Sequence, residues 1–208
     1  MTLLYAILGI LSAGPMTGYQ LVKHFSSSAG WVWETSHPQI YEALKRLERM
    51  GWVMGRREAH GGRLRTVYTL TPAGLEALLN WIAAPVEFER FRDRSLVQAL
   101  FLDMCSDEAA RQFFERYRDY YRVRQQQWAE RARLVRERLH PVLRQRLLSR
   151  DPSEHDRIVT LKVHVFEGLA RRAALEVQWA EKGLALLDKL RSASPTGPAR
   201  SKRALEPE

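Results

Sequence analysis

The segment Ser36 to Met50, SHPQIYEALKRLERM, constrains this chain more than any other. Wound as a helix, it places Ile40, Ala43, Leu44, Leu47 and Met50 on one face and Gln39, Glu42, Lys45, Arg46 and Arg49 on the other. The first face must be packed, and the second is left for a partner. Ser36 and Gln39 have the spacing of a capping box, and Pro38 suits a first turn that needs no amide donor. A residue before proline resists helical angles, so His37 is the alternative cap. Gly51 supplies a left-handed stop. A short, doubly punctuated helix with a basic outer face fits a DNA major groove, but it equally fits any protein surface, so its neighbours decide.

Before it, Leu3, Leu4, Ile7, Leu8 and Leu11 form a helical stripe ended by Gly14-Pro15. This opening run, MTLLYAILGILSAG, lacks a charged leader and the length to span a bilayer, so it predicts a core or interface helix. Thr17 then caps a helix carrying Tyr19, Leu21, Val22 and Phe25, and Trp31 and Trp33 follow as anchors to the core. After Gly51 come two strand-like runs, Trp52 to Glu58 and Arg63 to Leu70, around a glycine tip. Thr71-Pro72 opens a further helix whose Leu75, Leu78, Leu79 and Ile82 are expected in the core. The order helix, helix, helix, hairpin, helix is that of a winged helix-turn-helix.

The runs Leu8 to Phe25, Trp31 to Val53 and Val67 to Ile82 resemble the PadR family of bacterial transcriptional regulators. The markers are Leu8-Gly9, Gly14-Pro15 with Gly18-Tyr19, Trp33, Ser36 with Gln39-Ile40-Tyr41, Leu44, Leu47-Glu48, Gly51 and the Tyr68 to Gly74 segment. Two positions depart from the family pattern. A proline often found after the Ile-Tyr pair is Glu42, and the usual basic residue before Val67-Tyr68 is Thr66, which shifts a phosphate contact to Arg65 or Arg63.

Beyond Pro85 the periodicity lengthens. Residues 95–104 suggest one helix. A second, starting at Ser106 with Asp107 and Glu108, carries Ala110, Phe113, Tyr117, Tyr120, Tyr121, Trp128, Ala132, Val135 and Leu139 at helical spacing up to Pro141. The last helix, from Ser153 and Asp156, has a stripe through Val159, Val163, Phe166, Ala170, Ala173, Val177, Ala180, Leu184 and Leu187. A partial second stripe runs through Ile158, Leu161, Val165, Leu169 and Trp179. A helix apolar on two sides needs two partners, and a second copy of the chain is one of them. The extended half is similar to the longer, virulence-regulator-like branch of the PadR family, which implies dimerisation through these helices. The expected fold is therefore mainly α with a small β-hairpin wing, divided into a winged helix (1–84), a helical dimerisation and effector domain (92–191) and a disordered tail (192–208).

The formal charge of +9 favours an anionic partner, yet the first 84 residues hold only eight Lys and Arg against five Asp and Glu, so most of the excess lies later. The arginines between Arg111 and Arg150 are read as the solvated face of a helix buried on its other side. One cysteine, Cys105, excludes an intrachain disulfide framework and suits a cytoplasmic protein.

In a DNA complex, Gln39, Tyr41, Glu42 and Lys45 are the candidates for base edges or the groove floor. Thr17, Gly18, Tyr19, Ser36, His37 and Arg49 are candidates for phosphates, and Arg63 and Arg65 belong to the wing. Tyr117, Tyr120, Tyr121, Trp128, His164 and Trp179 are candidates to line a pocket for a small aromatic effector, as the resemblance implies, although such a stripe serves equally as core. The six histidines lack metal-ligand spacing, and neither a phosphate loop nor a nucleophile elbow is present, so the sequence offers no enzyme, metal or cofactor. Two functions remain: a DNA-binding regulator, repressing from an inverted-repeat operator as a homodimer built through the N-terminal and C-terminal helices, or a winged helix that meets an acidic protein.

Overall fold

The computed structural model describes residues 2–25, 36–60, 63–87 and 93–193, and the apolar opening run forms its first helix, α1 (Thr2–Leu11). Leu4, Ile7, Leu8 and Leu11 are buried, as their shared helical stripe requires. The chain reverses at Gly14, whose φ of 144° favours glycine, and Met16–Thr17 form a two-residue strand, β1. Helix α2 (Gly18–His24) starts on a reciprocal cap: Gln20 N–H donates to the Thr17 hydroxyl at 3.2 Å, and Thr17 N–H donates to Gln20 Oε1 at 2.8 Å.

Helix α3 (His37–Arg49) is capped by Ser36, which resolves the choice between Ser36 and His37. Its far end closes as a Schellman turn, with Gly51 N–H on Glu48 O at 3.0 Å, Trp52 N–H on Leu47 O at 2.9 Å and Gly51 at φ 69°. Strands β2 (Val53–His60) and β3 (Arg63–Leu70) pair antiparallel in unbroken register from Val53↔Leu70 to His60↔Arg63. Strand β1 adds to the other edge of β3, giving the order β1-β3-β2. This third strand was not expected, because two residues are too few to show an alternation. Helix α4 (Pro72–Ala83) is held to the end of α3 by Thr71, whose hydroxyl accepts from Gly74 N–H at 3.1 Å and donates to Gly51 O at 2.7 Å.

Three expectations about packing are corrected. Met50 is exposed, because it is the C-cap of α3, where the helical phase that buries Leu47 ends. Leu75, Leu79 and Ile82 are exposed as well; α4 is covered only on the side of Gly74 and Leu78, so a single narrow stripe is buried. The helix expected up to Pro141 ends at Arg136, because Arg138 takes φ 57°, a left-handed conformation that no α-helix continues through.

The second half comprises α5 (Arg94–Ala99), a 3-10 turn at Leu102–Met104, α6 (Asp107–Arg136), α7 (Pro141–Leu148), a 3-10 turn at Pro152–Glu154 and α8 (His155–Ala193). The single helix expected over 95–104 is thus a helix followed by a turn. Contacts group the described residues into two compact units, drawn from 1–89 with 133–163 and from 90–132 with 164–208. The sequence division at 84 and 92 follows the chain, whereas tertiary contact adds α7 to the first unit, where Val142 packs on the core of α1, α2 and α3. Trp31, Trp33 and the glycine tip at 61–62 lie outside the described residues, as does the tail beyond Ala193, the end of α8.

In the second unit Phe114 and Tyr117 of α6 meet Ala180 of α8, with Leu184 and Leu187 alongside. Gly183 permits this approach, since a β-carbon there would overlap the Phe114 ring. Gly183→Ala is expected to destabilise the protein by about 1–3 kcal/mol in urea unfolding. Gly168→Ala, on the same helix with nothing within 4 Å of the added carbon, is expected to stabilise by about 0.5–1 kcal/mol. The arginines of α6 meet acids at the surface, as in Arg122–Glu181 at 3.0 Å and Arg111–Asp188, which is the solvated face the sequence indicated. No helix among the described residues is long and apolar enough to cross a membrane.

Candidate nucleic-acid interface

Helix α3 divides as its sequence requires. Ile40, Ala43, Leu44 and Leu47 are buried, while Ser36, His37, Gln39, Tyr41, Glu42, Lys45 and Arg49 are all exposed. Glu48 ties the helix to the wing, its carboxylate accepting from Gly55 N–H of β2 at 3.1 Å. Sequence reasoning missed this role of Glu48, because the contact crosses a turn and has no local spacing. On the outer face Arg49 approaches Glu42 at 3.8 Å, with both side chains mostly in solvent, so the pair is weak.

The cap constrains Gln39. Ser36 N–H donates to its Oε1 at 2.9 Å, so a base contact through that oxygen requires the cap to open. At the start of α2, Thr17 and Gly18 are buried, and the Thr17 hydroxyl is engaged with Gln20. The cap-to-N3 spacing of Thr17 and Gln20 was the available signal for this. Tyr19, by contrast, is 72% exposed. Gly18 lies against α3: a β-carbon there would stand 2.5 Å from Cε1 of Tyr41, so the absent side chain makes room for that ring. Tyr68 of β3 is nearby. Burial first, and then the charges of Glu48 and Tyr41, raise its phenol above the ordinary tyrosine range and keep it neutral. Arg65 is exposed on the wing opposite Glu58, and Arg63 pairs with His60 in the backbone, its side chain lying outside the described residues.

Of the candidate effector residues, the structure brings together Tyr117, Tyr120 and Tyr121. They line a cavity of about 770 Å³ with Phe113, Arg116, Arg94, Asp93 and Cys105 among its other walls. Tyr117 donates to Glu176 Oε2 at 2.8 Å, and burial followed by this hydrogen bond pushes its phenol far above the ordinary range. Tyr120 carries Arg124 over its ring at 4.6 Å. The other three residues are absent from the cavity walls. Trp179 packs edge-on to Phe114 and Tyr117, Trp128 is buried against Phe166, and His164 is exposed.

An exposed basic helix seated on a three-helix core and braced by a wing is the arrangement found in DNA-binding winged helices. Residues 7–80 match the transcriptional regulator PadR-like family. This segment belongs to the PadR-like family. The negative transcriptional regulator PadR of Bacillus subtilis is 33% identical over 114 residues, which is 53% of this chain and 62% of that relative, so the match spans less than two thirds of its length. Its crystal structure in complex with operator DNA aligns over 90% of this chain and 100% of its own, with a TM-score of 0.70 at 24% identity. Its complex with p-coumaric acid aligns over 89% and 95%, with a TM-score of 0.65 at 26% identity. The Vibrio cholerae virulence activator AphA aligns over 90% and 99%, with a TM-score of 0.63 at 25% identity. The PadR-like fold of this chain therefore includes the helical second half, and its relatives are transcriptional regulators rather than enzymes.

Proposed function

We propose that this chain is a cytoplasmic, sequence-specific DNA-binding repressor that acts as a homodimer on an inverted-repeat operator. The observation that carries the reading is the outer face of α3, exposed from Ser36 to Arg49 while its inner face is locked into the core. In this reading Lys45, Tyr41 and Glu42 meet base edges, and Tyr19, His37, Arg49, Arg63 and Arg65 meet phosphates or the flanking minor groove. The dimer reading is supported by the second stripe of α8, along which Leu161, Val165 and Trp179 remain exposed, with α1 as the N-terminal contribution. The effector reading rests on the ring faces of Tyr117, Tyr120 and Tyr121 around one cavity, together with the p-coumaric acid complex of the Bacillus subtilis protein.

Sequencing of genomic fragments retained by the purified protein, followed by footprinting, tests the reading. Two protected half-sites one helical turn apart are expected. A single asymmetric half-site would count against the dimer, and no retention at low salt would count against DNA binding altogether.

Gly18→Ala gives a finer check. The half-exposed Tyr41 ring can swing away from the added carbon, so the melting temperature is expected to hold within a few degrees. Operator affinity, measured by fluorescence anisotropy, is expected to fall by about tenfold, or 1.4 kcal/mol, as the ring shifts on the groove-facing surface. Affinity equal to wild type would remove Tyr41 from the interface.

A further inference from the structure

In the first unit, two half-buried cations have no acid paired with them among the described residues. Arg146 of α7 points at the end of α1, where its Nη1 reaches the Ser12 hydroxyl only at 3.5 Å. Its Nε is buried with no hydrogen-bond partner among the described residues. Lys162, in the first third of α8, forms no ion pair among the described residues, and the charge it faces is that of Arg146. Burial, and then this repulsion, lower the Lys162 ammonium; burial, and then Arg150, lower the Arg146 guanidinium. The acids at the start of α8 and in the turn before it pair elsewhere, Asp156 with Arg138 at 2.6 Å and Glu154 with Arg150 at 4.0 Å.

The place is well defined. Ser12 donates its hydroxyl proton to Gly9 O at 2.8 Å, which leaves its oxygen facing the guanidinium as an acceptor. Gly14 lies directly against the Gln145 amide, so the turn after α1 is seated on α7. Neighbouring like charges held out of water are costly unless a counter-charge joins them. A guanidinium fork beside an ammonium is the pair of donors that suits an oxyanion, the fork for directed hydrogen bonds and the ammonium as a point charge.

We infer that Arg146 and Lys162, with Ser12 positioning the guanidinium, form a binding site for a small oxyanion, a carboxylate or phosphate group, where α1, α7 and α8 meet. An anion there neutralises the repulsion and ties α7 and α8 to the helix that packs behind α3. It therefore couples the concentration of a charged metabolite to the stability of the DNA-reading unit. The site shares no residue with the aromatic cavity.

The test uses the full chain at constant ionic strength, with chloride replaced by inorganic phosphate in one series and by acetate in another. Acetate has no ring to engage the tyrosines. At roughly ten times Kd, binding is expected to raise the melting temperature by about 3–6 °C. The rise is expected to vanish in Lys162→Met and in Arg146→Gln and to persist in Lys182→Met, which removes an exposed lysine of the same helix. Lys162→Met should itself be at least as stable as wild type in chloride, since it removes a desolvated charge. A response to phosphate alone assigns the site to phosphate groups, one to acetate alone assigns it to carboxylates, and a response to both supports a general oxyanion site. No rise with either anion in wild type, or an equal rise in Lys162→Met, would overturn the inference. If one of the two variants fails to fold, the other, set against Lys182→Met, still locates the site, and the test is independent of DNA binding.

Discussion

Gly74→Ala is expected to cost the winged-helix unit about 3 kcal/mol, the upper end of ordinary overpacking. Helix propensity alone gives the opposite sign, since alanine in a helix is better than glycine by about 1 kcal/mol. Space decides the outcome. A β-carbon on Gly74 would overlap the carbonyl oxygen of Trp52 and stand 2.9 Å from Cδ1 of Leu70. That carbonyl cannot swing away cheaply, because it accepts from Thr71 N–H at 3.1 Å, and the Trp52 amide on the same residue closes the end of α3. The Thr71 hydroxyl, which caps α4 through Gly74 N–H, would be displaced too. One added carbon therefore disturbs the end of α3, the start of the wing and the start of α4 together. For a chain of this size the loss should appear as a fall in melting temperature of about 6–12 °C. Gly9→Ala is the control: nothing lies within 4 Å of its added carbon, so it is expected to leave the melting temperature unchanged or raise it. A Gly74→Ala protein as stable as wild type would mean that the junction between α3 and α4 is looser than described.

The contrast between these two glycines shows what a sequence discloses. Helix α3 was legible because both its ends carry residue-specific chemistry, Ser36 with Gln39 at one and Gly51 at the other, and because its buried residues follow a single phase. The wing was legible from its alternation and its glycine tip. By contrast, the apolar residues of α4 share one spacing whether or not anything covers them, so Leu78 could not be told from Leu75, Leu79 and Ile82 before the packing was known. The aromatic residues of the second half posed the same ambiguity. Tyr117, Tyr120 and Tyr121 meet at a cavity wall, while Trp128 and Trp179 serve helix packing at the same periodicity. The place of α7 and the pairing of Glu48 with Gly55 depend on contacts distant in sequence or across a turn, which no local pattern encodes.

Lys45→Ala and Arg63→Ala are expected to separate the two jobs of the interface. Lys45 stands on the exposed face of α3 with no ion pair among the described residues, so its ammonium is available to the groove without breaking an internal contact. If it meets a base edge, its removal should weaken operator binding by about 1–3 kcal/mol, roughly 5- to 150-fold, while binding to a scrambled duplex changes little. Arg63 sits at the hairpin end of β3, and in the proposed complex it meets phosphate or the minor groove. Its loss should lower affinity by a smaller factor on both duplexes and reduce the slope of log K against log salt by about 1, because one fewer counterion is released. Anisotropy titrations between about 50 and 200 mM salt distinguish the two patterns. Equal losses on both duplexes for Lys45→Ala would reassign that residue to the phosphate backbone, and sequence reading would then fall to Tyr41 and Glu42. Unchanged affinity in both variants would remove the contact assignment.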